Sequence, residues 1–300
     1  MRKLTKIWLI IAALCILVGA SVFTAMLANA NWDFSNLSTE KFQTQEYTSV
    51  SPITDISIDT TTASITLCFT QDDTATVVCK ELENAPHTVS FENRNLTVTQ
   101  QDNRAWYDHI GVYFSAPEIT IYLPEKQYGA LDINVTTGDI HIPNGFTFRQ
   151  MSIVGTTCDV DLGANVTGSL AVKVSTGEIE ITDAAFGSIA LIATTGKMEL
   201  TNVKSDIIYS SGSTGDIYLE NVIATKNLNI TRSTGDVTFK DSDAEAIYIE
   251  VSTGNVTGSL LTGKIFSVTT NTGKISVPEN TPGSTCVITS STGDIMISVN

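Results

Sequence analysis

Leu170-Ala-Val-Lys-Val-Ser-Thr-Gly-Glu-Ile-Glu-Ile181 is followed 19 residues later by Ile189-Ala-Leu-Ile-Ala-Thr-Thr-Gly-Lys-Met-Glu-Leu200, and after another 19 by Ile208-Tyr-Ser-Ser-Gly-Ser-Thr-Gly-Asp-Ile-Tyr-Leu219. Apolar residues alternate with others up to a Ser/Thr-Thr-Gly triplet and alternate again after it. A period of two on both sides of a glycine predicts two strands joined by a corner. The same corner recurs at Gly138, Cys158, Gly177, Gly196, Gly215, Gly235, Gly254, Gly273 and Gly293, at intervals of 19 or 20 residues. That interval is the signature of a solenoid in which one repeat is one coil.

Alignment on the anchor tests the register. The positions seven and five before it and two and four after it are apolar at 34 of 36 sites, where a composition of 42% hydrophobic residues gives about 15. Ser210 and Gly258 are the exceptions. Parity switches across the triplet, so the glycines at 138, 177, 196, 215, 235, 254, 273 and 293 are read as structural turns that supply φ > 0. Thr precedes the anchor in all nine coils, and its stacked hydroxyls are expected to bond from coil to coil. A second, looser corner begins at Asp183, Asn202, Asn221 and Asp241.

Residues 51–130 lack the period and read as a hairpin-rich β cap, with 131–300 as the solenoid and 29–50 as a linker. The fold expected is all-β, a parallel β-solenoid of about nine coils behind one N-terminal transmembrane helix. The last coil ends seven residues beyond Gly293 without an obvious cap, which leaves an edge open to self-association.

Residues 1–6 form a basic stub carrying Arg2, Lys3 and Lys6, and 7–28 run without an acidic or basic side chain. Twenty-two such residues are long enough to cross a bilayer, which favours a retained anchor, while Ala28-Asn29-Ala30 fits a signal-peptidase site, which would release a secreted domain. Either way the basic stub stays cytoplasmic and the remainder is exported. A formal charge of −15, from 17 Lys plus Arg against 32 Asp plus Glu, excludes a nucleic-acid partner. Three histidines and five scattered cysteines leave little for acid-base or metal chemistry, and no P-loop, GxSxG, HExxH or CxxC motif occurs, so no enzyme and no cofactor is expected.

Glu118-Ile-Thr-Ile-Tyr-Leu-Pro-Glu125, then Leu131-Asp-Ile-Asn-Val-Thr-Thr-Gly-Asp-Ile140 and the repeated Ser-Thr-Gly-Asp-Ile, resemble the DUF4097 family of adhesin-like β-strand-repeat proteins over roughly residues 50–300. The resemblance implies a bacterial, extracytoplasmic, commonly membrane-tethered β-solenoid without catalytic residues, some relatives being linked to envelope-stress regulation. Cys158 in place of Gly, and Lys197, Asn255 and Lys274 in place of Asp, depart from that pattern.

Three groups are candidate sites. Trp106 and Tyr107, with Arg104, Asp108 and His109, suit a sugar ring or a protein partner, or fold back as a cap on the core. Outward Tyr209, Tyr218 and Tyr248 add aromatic platforms. The acids after the anchor, Asp139, Asp159 and Glu178, stack closely enough to hold Ca2+, against the simpler reading of Asp after Gly as turn chemistry. Cys68 and Cys79 flank a hairpin turn at 71–74, so they form a cross-strand disulfide if the register places them opposite, or stay as two small core residues. The function expected is binding of cell-surface polymer or protein by a tethered rod, or else a regulatory accessory acting through a membrane partner.

Overall fold

The computed structural model describes residues 3–29, 32, 41–100 and 116–300. A helix, α1 (Lys3–Asn29), precedes an all-β body whose two sheets enclose one continuous core. Ile7–Asn29 is apolar enough to cross a membrane, with a mean hydropathy of 2.5.

Each coil gives a long strand to sheet B, turns at the Ser/Thr-Thr-Gly corner, and gives a short strand to sheet A. Sheet B stacks β8 (Gln127–Thr137), β10 (Thr147–Thr157), β12 (Asn165–Thr176), β14 (Ala185–Thr195), β16 (Lys204–Thr214), β18 (Ile223–Thr234) and the second half of β19 (Val237–Thr253). Sheet A stacks β9 (Ile140–Ile142), β11 (Val160–Leu162), β13 (Ile179–Thr182), β15 (Met198–Thr201), β17 (Ile217–Glu220), the first half of β19 and β20 (Val256–Leu260). All these pairs are parallel, and residues equivalent in the repeat sit opposite each other, so Ile179 lies between Val160 and Met198. In-register stacking places the four apolar columns read from the sequence in the core, apart from the outermost coil, where Ile275 is 48% exposed and Val268 and Val277 are half-buried.

A fifth column, three residues before the anchor, also points inward: Val135, Val174, Ala193, Arg232, Val251 and Ser290 are buried there. It is simply the next odd step along the sheet B strand.

Backbone bonds explain the corner. The anchor amide donates to the carbonyl of the neighbouring coil's Thr, as in Gly177 N to Thr195 O (3.0 Å) and Gly196 N to Thr214 O (2.9 Å). The Thr column therefore works through its carbonyls, and no hydroxyl-to-hydroxyl bond links it among the described residues, contrary to the ladder expected from sequence. The second corner holds Asp183, Asn202, Asn221 and Asp241 at φ of 50–56°, a left-handed turn that short polar side chains tolerate. There Asn202 Nδ2 donates to Asp183 Oδ1 (2.7 Å) and Asn221 Nδ2 to Asn202 Oδ1 (2.8 Å), an amide ladder along that edge.

Spatial order departs from chain order at both ends. The final strands β23 (Ser284–Thr292) and β24 (Ile295–Val299) insert between β19/β20 and the preceding pair, β21 (Lys264–Thr272) and β22 (Ile275–Ser276). The last coil of the chain is thus enclosed, and the outer edge belongs to β21. Segment 277–283 lies against that edge: Thr281 N donates to Lys264 O (3.2 Å) and Phe266 N donates to Asn280 Oδ1 (2.8 Å). The expectation of an uncapped C-terminal coil is corrected accordingly, because the exposed edge is the penultimate coil and part of it is covered.

At the other end β2 (Asp55–Thr62) and β3 (Ser64–Thr70) form a coil against β8/β9, and β6 (Asn95–Gln100) and β7 (Glu118–Pro124) form another outside it, all parallel. Only then come antiparallel strands: β1 (Phe42–Thr48) on β4 (Thr76–Leu82) on β7, and β5 (His87–Glu92) on β6. The segment read as hairpins therefore contains two further coils, and the segment read as linker supplies strand β1.

Among the described residues, Lys264 and Arg232 are cations lying in the core. Lys264 pairs with Asp243 and donates to Ala244 O (2.7 Å) and Thr262 Oγ1 (2.8 Å), a full set of partners for a buried ammonium. Arg232, 1% exposed, donates only Nη1 to Ala193 O (3.2 Å), across the space left by Gly212, and its Nε and Nη2 have no partner. Burial depresses its pKa, opposed by nearby Asp216. A buried cation short of two acceptors costs stability, so Arg232→Met should raise stability by about 2 kcal/mol. Calorimetric melting checks this, and an unchanged or lower Tm contradicts the cost assigned to Arg232.

Candidate functional site

Sheet B strands carry the offsets seven, five and three before the anchor inward, so the positions eight, six and four before it form the part of the outer face next to the corner. Of these 27 positions only Asp132, Lys173 and Glu250 are charged, in a chain of net charge −15. A register shift farther out turns Arg149, Asp206, Lys226 and Glu245 outward, Lys226 pairing with Asp206 at 2.9 Å. Register aligns Ala190, Tyr209, Asn229, Tyr248 and Val287 across five strands in one row. Ile207 and Ile192 flank Tyr209 in the adjoining rows, and Tyr209 and Tyr248 are 42% and 45% exposed. One strand separates the two tyrosines, which sets their backbones about 10 Å apart on a pleated surface. Small neighbours such as Ala190 and Ala246 leave the rings standing above the sheet, a shape suited to stacking on a flat apolar partner surface.

Sheet A differs. Its outer face stacks Asp161, Glu180 and Glu199 in register, with His141 Nδ1 2.7 Å from Asp161 Oδ2. Lys197 bridges Glu178 (3.5 Å) and Glu199, and its hydrogen bond to Glu199, the largest cause, holds its pKa above the ordinary lysine value. Tyr218 lies on this face, half-buried, and donates its hydroxyl to Glu220 Oε2 (3.1 Å), so it does not join the other two tyrosines. The two faces are therefore chemically distinct, one acidic and one nearly neutral with exposed aromatic and aliphatic groups.

The acids of the corner column have a visible task. Asp159 Oδ1 accepts from Glu178 N (2.7 Å), Asp139 Oδ1 from Asp159 N (3.4 Å), Asp216 Oδ1 from Asp236 N (2.8 Å) and Asp236 Oδ1 from Asn255 N (2.7 Å). Asn255 Oδ1 then accepts from Asp294 N (2.8 Å), and Asp294 Oδ1 from Lys274 N (2.7 Å), following the spatial order of the coils. A short side chain with an oxygen on its γ-carbon fits this ladder, and Asn255 serves as well as Asp. Asp139 and Asp159 also border a groove of about 370 Å³ along the corner, with Ala63, Gly138, Cys158 and Gly177. One oxygen of each is engaged by a backbone amide, which leaves a single oxygen from each for any cation.

Trp106, Tyr107, Arg104, Asp108 and His109 lie outside the described residues. Cys68 and Cys79 are both free thiols. Strand β7 runs between theirs, with Cys68 opposite Tyr122 and Cys79 opposite Ile119, and Cys79 faces the core while Cys68 faces out. A parallel neighbour inserted into the supposed hairpin thus keeps them apart. Burial, then Glu81, push the Cys79 thiol up to about 12.

Sequence reading missed one polar cluster. Glu81 and His87 are wholly buried where β4 of sheet A meets β5 of sheet B, with Glu81 Oε2 2.8 Å from His87 Nδ1 and Thr60 Oγ1 2.9 Å from His87 Nε2. The available signal was parity, since Val77, Cys79 and Glu81 alternate inward.

The family model described as Toastrack DUF4097 matches residues 53–221 and 201–300. Among solved structures, a "putative adhesin" from Bacteroides fragilis NCTC 9343 is similar at 17% identity and a TM-score of 0.51, covering 87% of this chain and 98% of that one. Another "putative adhesin", from Parabacteroides distasonis ATCC 8503, is similar at 15% identity and a TM-score of 0.54, with the same coverages of 87% and 98%. A "putative lipid binding protein" from the same Parabacteroides strain is similar at 15% identity and a TM-score of 0.52, again covering 87% and 98%. At such identities the likeness is one of fold. The curated proteins contain no match. Since the family model matches residues 53 to 300, all of the two-sheet body except strand β1, the chain belongs to the Toastrack DUF4097 family.

Proposed function

We propose that this chain is a non-enzymatic, adhesin-like rod, tethered to the cell membrane by α1 with its β body extracytoplasmic, and that the outer face of sheet B binds cell-surface polymer or protein. The observation that carries the reading is the band of outer sheet B next to the corner, nearly uncharged and bearing Tyr209, Tyr248, Ile207 and Ile192 on a strongly acidic chain, with charges of both signs farther along the strands. Elsewhere the outward acids carry charge, repel one another along the coils and keep the rod soluble. Exposed aromatic and aliphatic groups sharing one rigid sheet are the ordinary composition of a contact surface. The adhesin names of fold relatives agree with this use, and the basic residues Arg2, Lys3 and Lys6 orient the helix with its N-terminus inside.

The test is co-sedimentation of the full chain, held in lipid nanodiscs, with isolated envelope and cell-wall preparations. Saturable binding is expected, and Tyr209→Asp with Tyr248→Asp should weaken it at least about tenfold, each ring contributing about 1 kcal/mol or more. Binding that the double variant leaves intact removes sheet B from the reading. Absence of binding transfers the role to a regulatory accessory that acts through a membrane partner of α1. Lipid vesicles form a further arm, given the name of the third fold relative.

A further inference from the structure

We propose that Cys79, Glu81 and His87 form a binding site for a zinc-class transition-metal ion that ties sheet A to sheet B at the N-terminal end of the rod. Their ligand atoms all lie within 4.8 Å of one another, and all three residues are buried. Cys79 and Glu81 project inward from β4 of sheet A, and His87 opens β5 of sheet B.

The hydrogen bonds around His87 fix which nitrogen is free. Gln100 Nε2 donates to Ala85 O (2.9 Å), which turns Gln100 Oε1 toward Thr60. Thr60 Oγ1 donates its one proton to that oxygen (3.2 Å), so at His87 Nε2, 2.9 Å away, the hydroxyl must accept. Nε2 therefore carries hydrogen, and the Nδ1 lone pair points at Glu81 Oε2, 2.8 Å away. A proton satisfies that pair at its present separation, with Glu81 Oε2 also accepting from His87 N (2.7 Å), and a zinc ion bonded to both atoms would open them to about 3.3 Å. The third donor favours the metal: Cys79 Sγ lies beside both and makes no hydrogen bond among the described residues, and a bound ion would take the place of the proton that burial keeps on it. Thiolate, imidazole and carboxylate form a donor set suited to zinc, and Glu81 can offer both oxygens. The chain from Nε2 through Thr60 to Gln100 is the kind of outer support that holds a metal-bound imidazole in one orientation. Gln43 Nε2 supports Glu81 Oε1 likewise (3.3 Å). With all three ligands buried, the ion enters as the end of the rod folds.

The test is metal content of the full chain purified in detergent from cells grown with added zinc, and the absorption spectrum of the same chain produced with added cobalt. About one zinc per chain is expected, together with thiolate-to-cobalt charge-transfer absorption, both lost in Cys79→Ser and kept in Cys158→Ser. Chain without stoichiometric zinc, or zinc and cobalt signals that survive Cys79→Ser, overturns the site. The wild-type cobalt spectrum serves on its own should Cys79→Ser fail to fold, since cobalt bound without a thiolate band also overturns it.

Discussion

Ile179→Asp is expected to lower stability by about 5 kcal/mol, enough to unfold several coils together. Ile179 is wholly buried on β13, between Val160 of one coil and Met198 of the next. A carboxylate there meets apolar groups on both sides, and it must be desolvated while charged or take up a proton at a cost set by pH. Each coil draws its stability largely from its neighbours, so damage at one rung weakens two interfaces. The adjacent residue is the control. Glu180 faces out, between Asp161 and Glu199, and Glu180→Gln should leave Tm unchanged or raise it slightly, because it relieves like charges in register. Thermal melts followed by circular dichroism separate the two, and equal Tm values for Ile179→Asp and wild type would place that column outside the core.

The same alternation made most of the fold readable before any coordinates. Except at Ile275 on the outer coil, columns two and four after the anchor and seven and five before it are the interior. The column three before it escaped notice because Gly155, Gly212, Arg232, Thr270 and Ser290 break its apolar character, although strand parity alone reaches it. Stacking order at the ends was not readable for a physical reason. Every coil offers the same corner ladder, so Gly254 N donates to Thr292 O as readily as Gly235 N donates to Thr253 O (2.9 Å and 3.0 Å), and nothing local marks which coil comes next. Tyr209 and Tyr248 were placed outward by parity, but the neutrality of their face emerges only once rows from separate coils are assembled. The Glu81 and His87 pair belongs to antiparallel strands of different sheets, where no repeat links one residue to the other.

Gly196→Cys should cost about 4 kcal/mol, and its partial repair by a second change tests why one corner lacks glycine. Gly196 sits at φ +150°, and a Cβ there would lie 1.8 Å from Gly177 O, so both its conformation and its space exclude a side chain. Cys158 nevertheless holds the equivalent place. It is not among the positive-φ residues, its side chain is buried, and its amide still reaches Thr176 O at 3.0 Å. Room for its thiol comes from Gly155, three residues earlier, where a Cβ would lie 2.6 Å from Cys158 Cβ. The matching position for Gly196 is Ala193, fully buried in the inward column. Copying only the cysteine leaves the Ala193 methyl group in the space that the side chain must enter, and Gly196→Cys is then strained whichever way it turns. Copying both, with Ala193→Gly, opens the inward route and should recover more than half of the loss, less the usual cost of an added glycine in a strand. Urea denaturation of the two single variants and the double variant closes the cycle. A stable Gly196→Cys would contradict the close approach at the corner, and a double variant no better than Gly196→Cys would separate Gly155 from the conformation of Cys158.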